Sequence, residues 1–139
     1  MSWIVQNIKA VNLNNISEVT LIEGTKEVVF FENGTGSAIR MEYSVVTMDE
    51  LLKEYKEELK ILLRSKRKIL LENCKKYLEL ENLLFSNLIK GAEPYLIEQI
   101  AEFGDTGKGK KQLGVLIYSA NLDFLSDHAY DIFDDEEVM

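Results

Sequence analysis

The sequence contains few of the residues that build covalently linked or metal-held folds. Its 139 residues include one cysteine (Cys74), one histidine (His128) and one proline (Pro94). A single cysteine cannot form a disulfide within the chain, so a disulfide scaffold is excluded. One cysteine and one histidine are also too few for a structural zinc site within one chain. We therefore expect no metal and no cofactor.

Long apolar runs are also missing. No stretch of about 18 apolar residues occurs, so the sequence predicts no transmembrane helix. The N-terminal residues lack the basic region and long apolar core that are typical of a secretory signal. These absences predict a cytoplasmic protein in a reducing compartment, which suits a free thiol. The apolar content of 46% and the single proline are not those of a disordered chain, and the length favours one domain over 1–139.

Basic residues are missing from the end of the chain. The net charge is −8, but residues 112–139 contain seven acidic side chains and no basic one, so the remainder carries only −1. Such a field repels nucleic acid, which disfavours DNA binding, and favours basic partners. A solubilising tail is the alternative interpretation. Aromatic side chains between the acids are candidate anchors for a protein partner. The predicted partner-binding residues are Asp123, Phe124, Asp127, Tyr130, Asp131, Phe133 and Asp134.

The first 46 residues show the patterns of β-strands. Apolar and polar residues alternate over Ile39–Val45, which is typical of a strand with one buried face. Val28–Phe31 is apolar on both faces and predicts a central strand. The glycine-rich segment Asn33–Ser37 predicts a hairpin loop between these two, and Glu23–Thr25 a tight turn. We predict a four-stranded antiparallel meander with strands at Trp3–Val11, Val19–Ile22, Val28–Phe31 and Ile39–Val45.

A helical region follows over residues 47–103. Thr47 and Glu50 have the spacing of a capping box and predict the start of a helix. From residue 47 onward, neither proline nor glycine occurs before Gly91, yet one helix of about forty residues would be about 60 Å long, longer than a compact domain of this size. We predict a break near Ser65 or Asn73, with helices that pack together in a homodimer. A projecting coiled coil is the alternative.

The last third of the chain is predicted to contain three further elements. Pro94 suits the first turn of a helix over 94–103, with Gly104 as its C-terminal cap. Residues 104–112 are predicted to form a flexible basic loop, and Leu113–Tyr118 a short strand. Within 113–139, an acidic amphipathic helix is expected to begin near Asn121 as its N-cap. The predicted fold class is therefore α+β.

No pattern of catalytic residues withstands inspection. Gly104, Gly109 and Lys110 match the spacing of a phosphate-binding loop, but Lys111 stands where a serine or threonine should hold magnesium. The loop also follows a helix and precedes a strand, the reverse of the order in that motif. Nothing in the sequence places His128 beside a serine and an aspartate, so a hydrolytic triad is not supported. We therefore predict that the protein is not an enzyme.

Three functional hypotheses remain. The first is a non-catalytic inhibitor or immunity-type protein from bacterial or phage conflict, which covers a basic functional surface with its acidic C-terminal face. The second is a phage-type sponge protein that sequesters a nucleotide-like molecule in a pocket between protomers. The third is a helical assembly protein. The residues predicted to bind the nucleotide are Arg64, Arg67, Phe85, Tyr95, Lys108 and Lys110.

The dense basic cluster that includes Arg64 and Arg67 has two simpler interpretations. Lys68 and Glu72 have the i,i+4 spacing of a helical ion pair. Alternatively, the acidic C-terminus docks onto this cluster.

Overall fold

A computed structural model shows an α+β fold in which a three-stranded antiparallel sheet precedes a set of helices. It describes residues 11–12, 15–65, 70–105, 110–111 and 113–133. The strands are β1 (Val11–Asn12), β2 (Ile16–Ile22), β3 (Glu27–Glu32), β4 (Ala38–Glu42), β5 (Ser44–Val46), β6 (Asn87–Ile89) and β7 (Lys110–Lys111). The α-helices are α1 (Met48–Ser65), α2 (Cys74–Ser86), α3 (Glu93–Asp105), α4 (Leu113–Asp127) and α5 (Ala129–Ile132).

The sheet consists of β2, β3 and β4 in sequence order, and β3 is the central strand as predicted. Val28, Val29 and Phe30 are fully buried because the strand has neighbours on both edges and both of its faces are covered. The predicted hairpin loop joins β3 to β4, and its Gly34 and Gly36 both have a φ of 73°. That backbone conformation favours glycine, which explains the sequence of the loop.

One prediction about the strands is wrong, and another lies largely outside the described residues. The predicted strand Ile39–Val45 divides at Tyr43: its second part forms β5, which pairs in parallel with β6. The helical region predicted over residues 47–103 is therefore interrupted after Ser86, because the chain turns there to pair with β5. The predicted first strand lies outside the described residues except for Val11, which pairs with Lys111 rather than with the sheet.

The helical region begins and breaks as the sequence predicts. The Glu50 N–H donates to Thr47 Oγ1 at 3.2 Å, and the Thr47 N–H donates to Glu50 Oε1 at 3.0 Å, which completes the capping box. Helix α1 ends at Ser65, and α2 begins at Cys74 after a short 3₁₀ turn. The two helices contact each other, and Leu59, Tyr77, Leu80 and Leu84 belong to the common apolar core.

Helix α4 is the largest departure from the sequence-based expectation. Leu113–Tyr118, predicted as a strand, forms the first half of this helix. In this first half, Leu113–Ile117 is an apolar run with one glycine, in which even the exposed position is Val115, so the segment has no polar stripe from which a helical period could be read. Asn121 accordingly lies within the helix rather than at its N-cap.

The segment predicted as a flexible basic loop is partly regular in the structure. Gly104 lies inside α3 and does not cap it, since the helix continues to Asp105. Lys110–Lys111 forms β7 and pairs with β1 in antiparallel orientation. Residues 106–109 and 112, which complete the predicted loop, lie outside the described residues.

The fully buried side chain of Asn121 joins three elements. Its Oδ1 accepts the N–H of Ile89 in β6 at 2.9 Å. Its Nδ2 donates to the carbonyl oxygens of Leu84 at 3.0 Å and Asn87 at 2.8 Å. Backbone groups at the end of a helix lack partners within that helix, so the amide supplies bonds that the α2–β6 junction needs. These bonds fix the position of α4 relative to the end of α2 and to β6.

Replacing Asn121 with alanine should lower the free energy of unfolding by about 2–4 kcal/mol, because buried backbone groups lose their partners. Urea unfolding measures this change. Ser126→Ala is the matched control, since Ser126 is exposed on the same helix, and it should change stability by less than about 0.5 kcal/mol. Equal effects of the two substitutions would contradict the assigned role of Asn121.

The capping box should make stability depend on pH. Hydrogen bonds from the Thr47 backbone and side chain lower the pKa of Glu50 below its ordinary value. Because the pKa of Glu50 is lower in the folded state, its carboxylate stabilises the fold fully above the pKa of the unfolded state. This stabilisation is lost as the pH falls through the pKa of the folded state. The Glu50→Ala variant should therefore be less stable than the wild type at pH 7, with a difference that shrinks in acid.

The control for this prediction is Glu50→Gln, whose amide does not titrate. Its stability difference from Glu50→Ala should stay constant over the same pH range in chemical denaturation. A difference between the wild type and Glu50→Ala that grows as the pH falls would show that the capping carboxylate does not act in this way.

Candidate interaction surface

Helices α3 and α4 form an acidic surface. Neither helix contains a lysine or an arginine. Glu98 on α3 and Asp123 and Asp127 on α4 are all exposed. We use the name α3–α4 acidic face for these three carboxylates together with Tyr95, which lies among them.

Two hydrogen bonds join the helices across this face. The Tyr95 hydroxyl donates to Asp127 Oδ2, and Gln99 Nε2 donates to Asp123 Oδ2 at 2.8 Å. The donors are one turn apart on α3 and the acceptors one turn apart on α4, in opposite sequence order, so the helices run antiparallel. The bonds restrict both carboxylates to orientations set by the neighbouring helix.

The surroundings of Tyr95 on this face disfavour the ionisation of its hydroxyl group. The hydrogen bond to Asp127 raises the pKa of Tyr95 above its ordinary value, and desolvation raises it further. The charges of Asp127, Asp123 and Glu98 act in the same direction, because a nearby negative charge disfavours the tyrosinate. The phenol therefore remains a hydrogen-bond donor at neutral pH.

The Phe124 side chain packs against Tyr95, a residue of the acidic face. Its ring meets the Tyr95 ring edge-on at 5.9 Å between centroids and lies 4.2 Å from the His128 ring. Gly91 lies close to the same ring, because a Cβ at this position would be 3.0 Å from two Phe124 ring carbons. The φ of Gly91 is 102°. The predicted anchor Phe124 is thus half-buried within the protein's own packing.

The other predicted partner-binding residues differ in exposure. Tyr130 is 69% exposed, and Asp131 is also exposed. Phe133 is half-buried, with the Arg64 guanidinium 4.7 Å from its ring centroid, so the end of the described chain docks beside the first residue of the basic cluster. Asp134 lies outside the described residues. Tyr130 is therefore the most accessible of the three aromatic candidates.

The described residues among those predicted to bind a nucleotide lie in four separate sets of contacts. Arg64 contacts Phe133, whereas Phe85 stacks on Tyr118 with a centroid distance of 4.5 Å and an interplanar angle of 3°. Tyr95 lies beside three carboxylates, which would repel a phosphate. Lys110 belongs to β7, where it pairs with Asn12. Arg67 and Lys108 lie outside the described residues.

Sequence reasoning missed the contribution of α3 to this surface. The sequence predicts Tyr95 only as a nucleotide-binding residue, and its patterns do not indicate Gln99 or Glu98. One signal was available: α3 contains four acidic residues and no basic one, like the end of the chain. The partners Gln99 and Asp123 are 24 positions apart, so no local pattern could have joined them.

Comparison of the chain with family models, with curated proteins and with solved structures finds no match. Within the described ranges, no helix is long and apolar enough to cross a membrane. The same part of the chain contains no group of three or more His, Cys, Asp or Glu side chains placed to bind a metal ion.

Replacing Gly91 with alanine should destabilise the protein by about 1–3 kcal/mol. The alanine would have to adopt a strained backbone conformation, and its Cβ would be too close to the Phe124 ring. Thermal unfolding measures the change. Gly24→Ala is the matched control, since no atom lies within 4 Å of a Cβ at Gly24. A Gly91→Ala variant as stable as the Gly24→Ala control would contradict the close packing described for Phe124.

Proposed function

We propose that this protein is a non-catalytic binding protein that covers a basic functional surface of another protein, as an inhibitor or immunity-type protein in bacterial or phage conflict does. The observation that carries the proposal is the position of Tyr95 among Asp127, Asp123 and Glu98, on two helices without a single basic residue. Charge of one sign concentrated on one face is suited to a partner of opposite charge.

The charge of the acidic face would determine both the rate of association and the choice of partner. A cluster of carboxylates attracts a basic surface over a distance comparable to the Debye length, which raises the association rate and makes it depend on salt. The same field disfavours acidic proteins and nucleic acids. A nuclease surface that binds DNA has the complementary charge and is the class of partner that we favour.

The carboxylates are also oriented before a partner arrives. Gln99 and Tyr95 each donate to one Oδ2 atom, and a carboxylate has further lone pairs that can accept from a guanidinium. Side chains that are already ordered lose less conformational entropy on binding. Tyr130, 69% exposed beyond the end of α4, is the aromatic side chain best placed to anchor such a contact.

The test is charge neutralisation rather than truncation, because a deletion that begins at Asn121 would remove part of the core. The first variant, named the α3–α4 variant, neutralises the three carboxylates of the α3–α4 acidic face with Glu98→Gln, Asp123→Asn and Asp127→Asn. It also carries Asp131→Asn on the neighbouring helix α5. The control variant neutralises four exposed glutamates elsewhere, Glu23, Glu42, Glu54 and Glu72, so both variants change the net charge equally. Circular dichroism establishes that both are folded.

Each protein is immobilised and used to capture partners from a lysate of the native host, with quantitative mass spectrometry as the measurement. We expect a basic protein that the wild type and the control variant retain, and that the α3–α4 variant loses by about tenfold or more, because clustered charges contribute most of the steering. Capture should also weaken as salt is raised. Equal retention by the two variants, or an enriched partner that is acidic, would overturn the proposal.

A further inference from the structure

The chain after Phe133 begins beside a cation of helix α1. Helix α5 contacts α1, and its Ile132 is fully buried in the common apolar core. The Arg64 guanidinium lies 4.7 Å from the Phe133 ring centroid. Consecutive Cα atoms are about 3.8 Å apart, so the residue that follows Phe133 must start close to this contact. The contact therefore fixes where the last acidic residues of the sequence leave the folded domain.

Arg64 ends a row of three basic residues on α1. Lys56, Lys60 and Arg64 are four residues apart, a spacing that places side chains one above another on a helix. All three follow Tyr55, where the backbone of α1 departs from helical geometry (φ −131°, ψ 25°), so they lie within one regular segment. The Lys60 Nζ lies 3.4 Å from Glu57 Oε2, but the Glu57 side chain is 76% exposed, so solvent screens this pair. We call the three basic residues the α1 basic stripe.

We propose that the chain's own residues 134–137 bind along the α1 basic stripe and cover it, as an autoinhibitory segment. This segment lies outside the described residues, and its sequence is Asp134, Asp135, Glu136 and Glu137. It carries four negative charges, against the three positive charges of the stripe. Four extended residues span about 13 Å at about 3.3 Å each, and α1 rises by about 12 Å from Lys56 to Arg64 at about 1.5 Å per residue. The segment therefore matches the stripe in both length and charge.

The 134–137 segment would compete with other polyanions for the stripe. A row of lysine and arginine side chains attracts polymers that carry phosphate or sulfate groups. Acidic residues that Phe133 holds next to the row have a high effective concentration, because they belong to the same chain. Asp134, predicted as a partner-binding residue, would then act within the chain. The stripe is on a different helix from the α3–α4 acidic face, so this proposal does not depend on the proposed function.

Carbodiimide cross-linking of the full chain tests where the 134–137 segment binds, because the reagent joins carboxylates to lysine amines that are in direct contact. We expect mass spectrometry to find a peptide containing residues 134–137 joined to Lys56 or Lys60. The yield of this product should fall at high salt, which screens the charges. A segment joined only to lysines outside α1, or joined to no lysine, would overturn the proposal.

Binding of heparin, a sulfated polyanion, tests whether the segment covers the stripe. The segment variant neutralises all four acids with Asp134→Asn, Asp135→Asn, Glu136→Gln and Glu137→Gln. The matched control neutralises four exposed glutamates away from α1, with Glu18→Gln, Glu23→Gln, Glu42→Gln and Glu102→Gln. The two variants therefore have the same net charge, and circular dichroism establishes that both are folded.

The segment variant should bind heparin about tenfold more tightly than the matched control, because it exposes a row of cations that the control leaves covered. Adding Arg64→Gln to the segment variant should remove most of this gain, since Arg64 belongs to the exposed row. Equal heparin affinities of the segment variant and the matched control, or a gain that Arg64→Gln leaves intact, would contradict the autoinhibitory role.

Discussion

The hydrogen bonds of the buried Asn121 side chain determine the arrangement of the second half of the molecule. One amide group binds Ile89, Leu84 and Asn87, and so joins α4 to the end of α2 and to the strand that pairs with β5. A buried amide without these partners would be destabilising, which restricts the helix to one position along the junction. The apolar residues of α4 then complete the core around that position.

The acidic face follows from this restraint. Once Asn121 is fixed in the core, Asp123 and Asp127 must emerge at the edge of α4, one turn apart and next to α3. There, Gln99 and Tyr95 bind them. The first two aspartates of the acidic end are therefore hydrogen-bonded to α3 and lie with Glu98 on one face. The proposed function depends on that arrangement.

The parts of the fold that could be predicted depend on local chemistry. The capping box at Thr47 and the glycine-rich loop before β4 are specified by neighbouring residues, and both were predicted. The first half of helix α4 is predicted as a strand because Leu113–Tyr118 is a short apolar run, which resembles a buried strand. For the candidate site, charge alone indicated Asp123 and Asp127. The roles of Tyr95 and Gln99 come from tertiary packing, so no sequence period could indicate them.

Helix α4 is an element of the core, and its contacts with the core hold its acidic edge in place. Native-state hydrogen exchange measures this most directly. We predict that the amides of Leu116, Ile117 and Asn121 exchange only through global unfolding, with the same free energy as the buried strand β3. Exchange of these amides through a local opening, at a much lower free energy than Val29 and Phe30, would contradict this prediction, because it would show that the acidic helix is separable from the core.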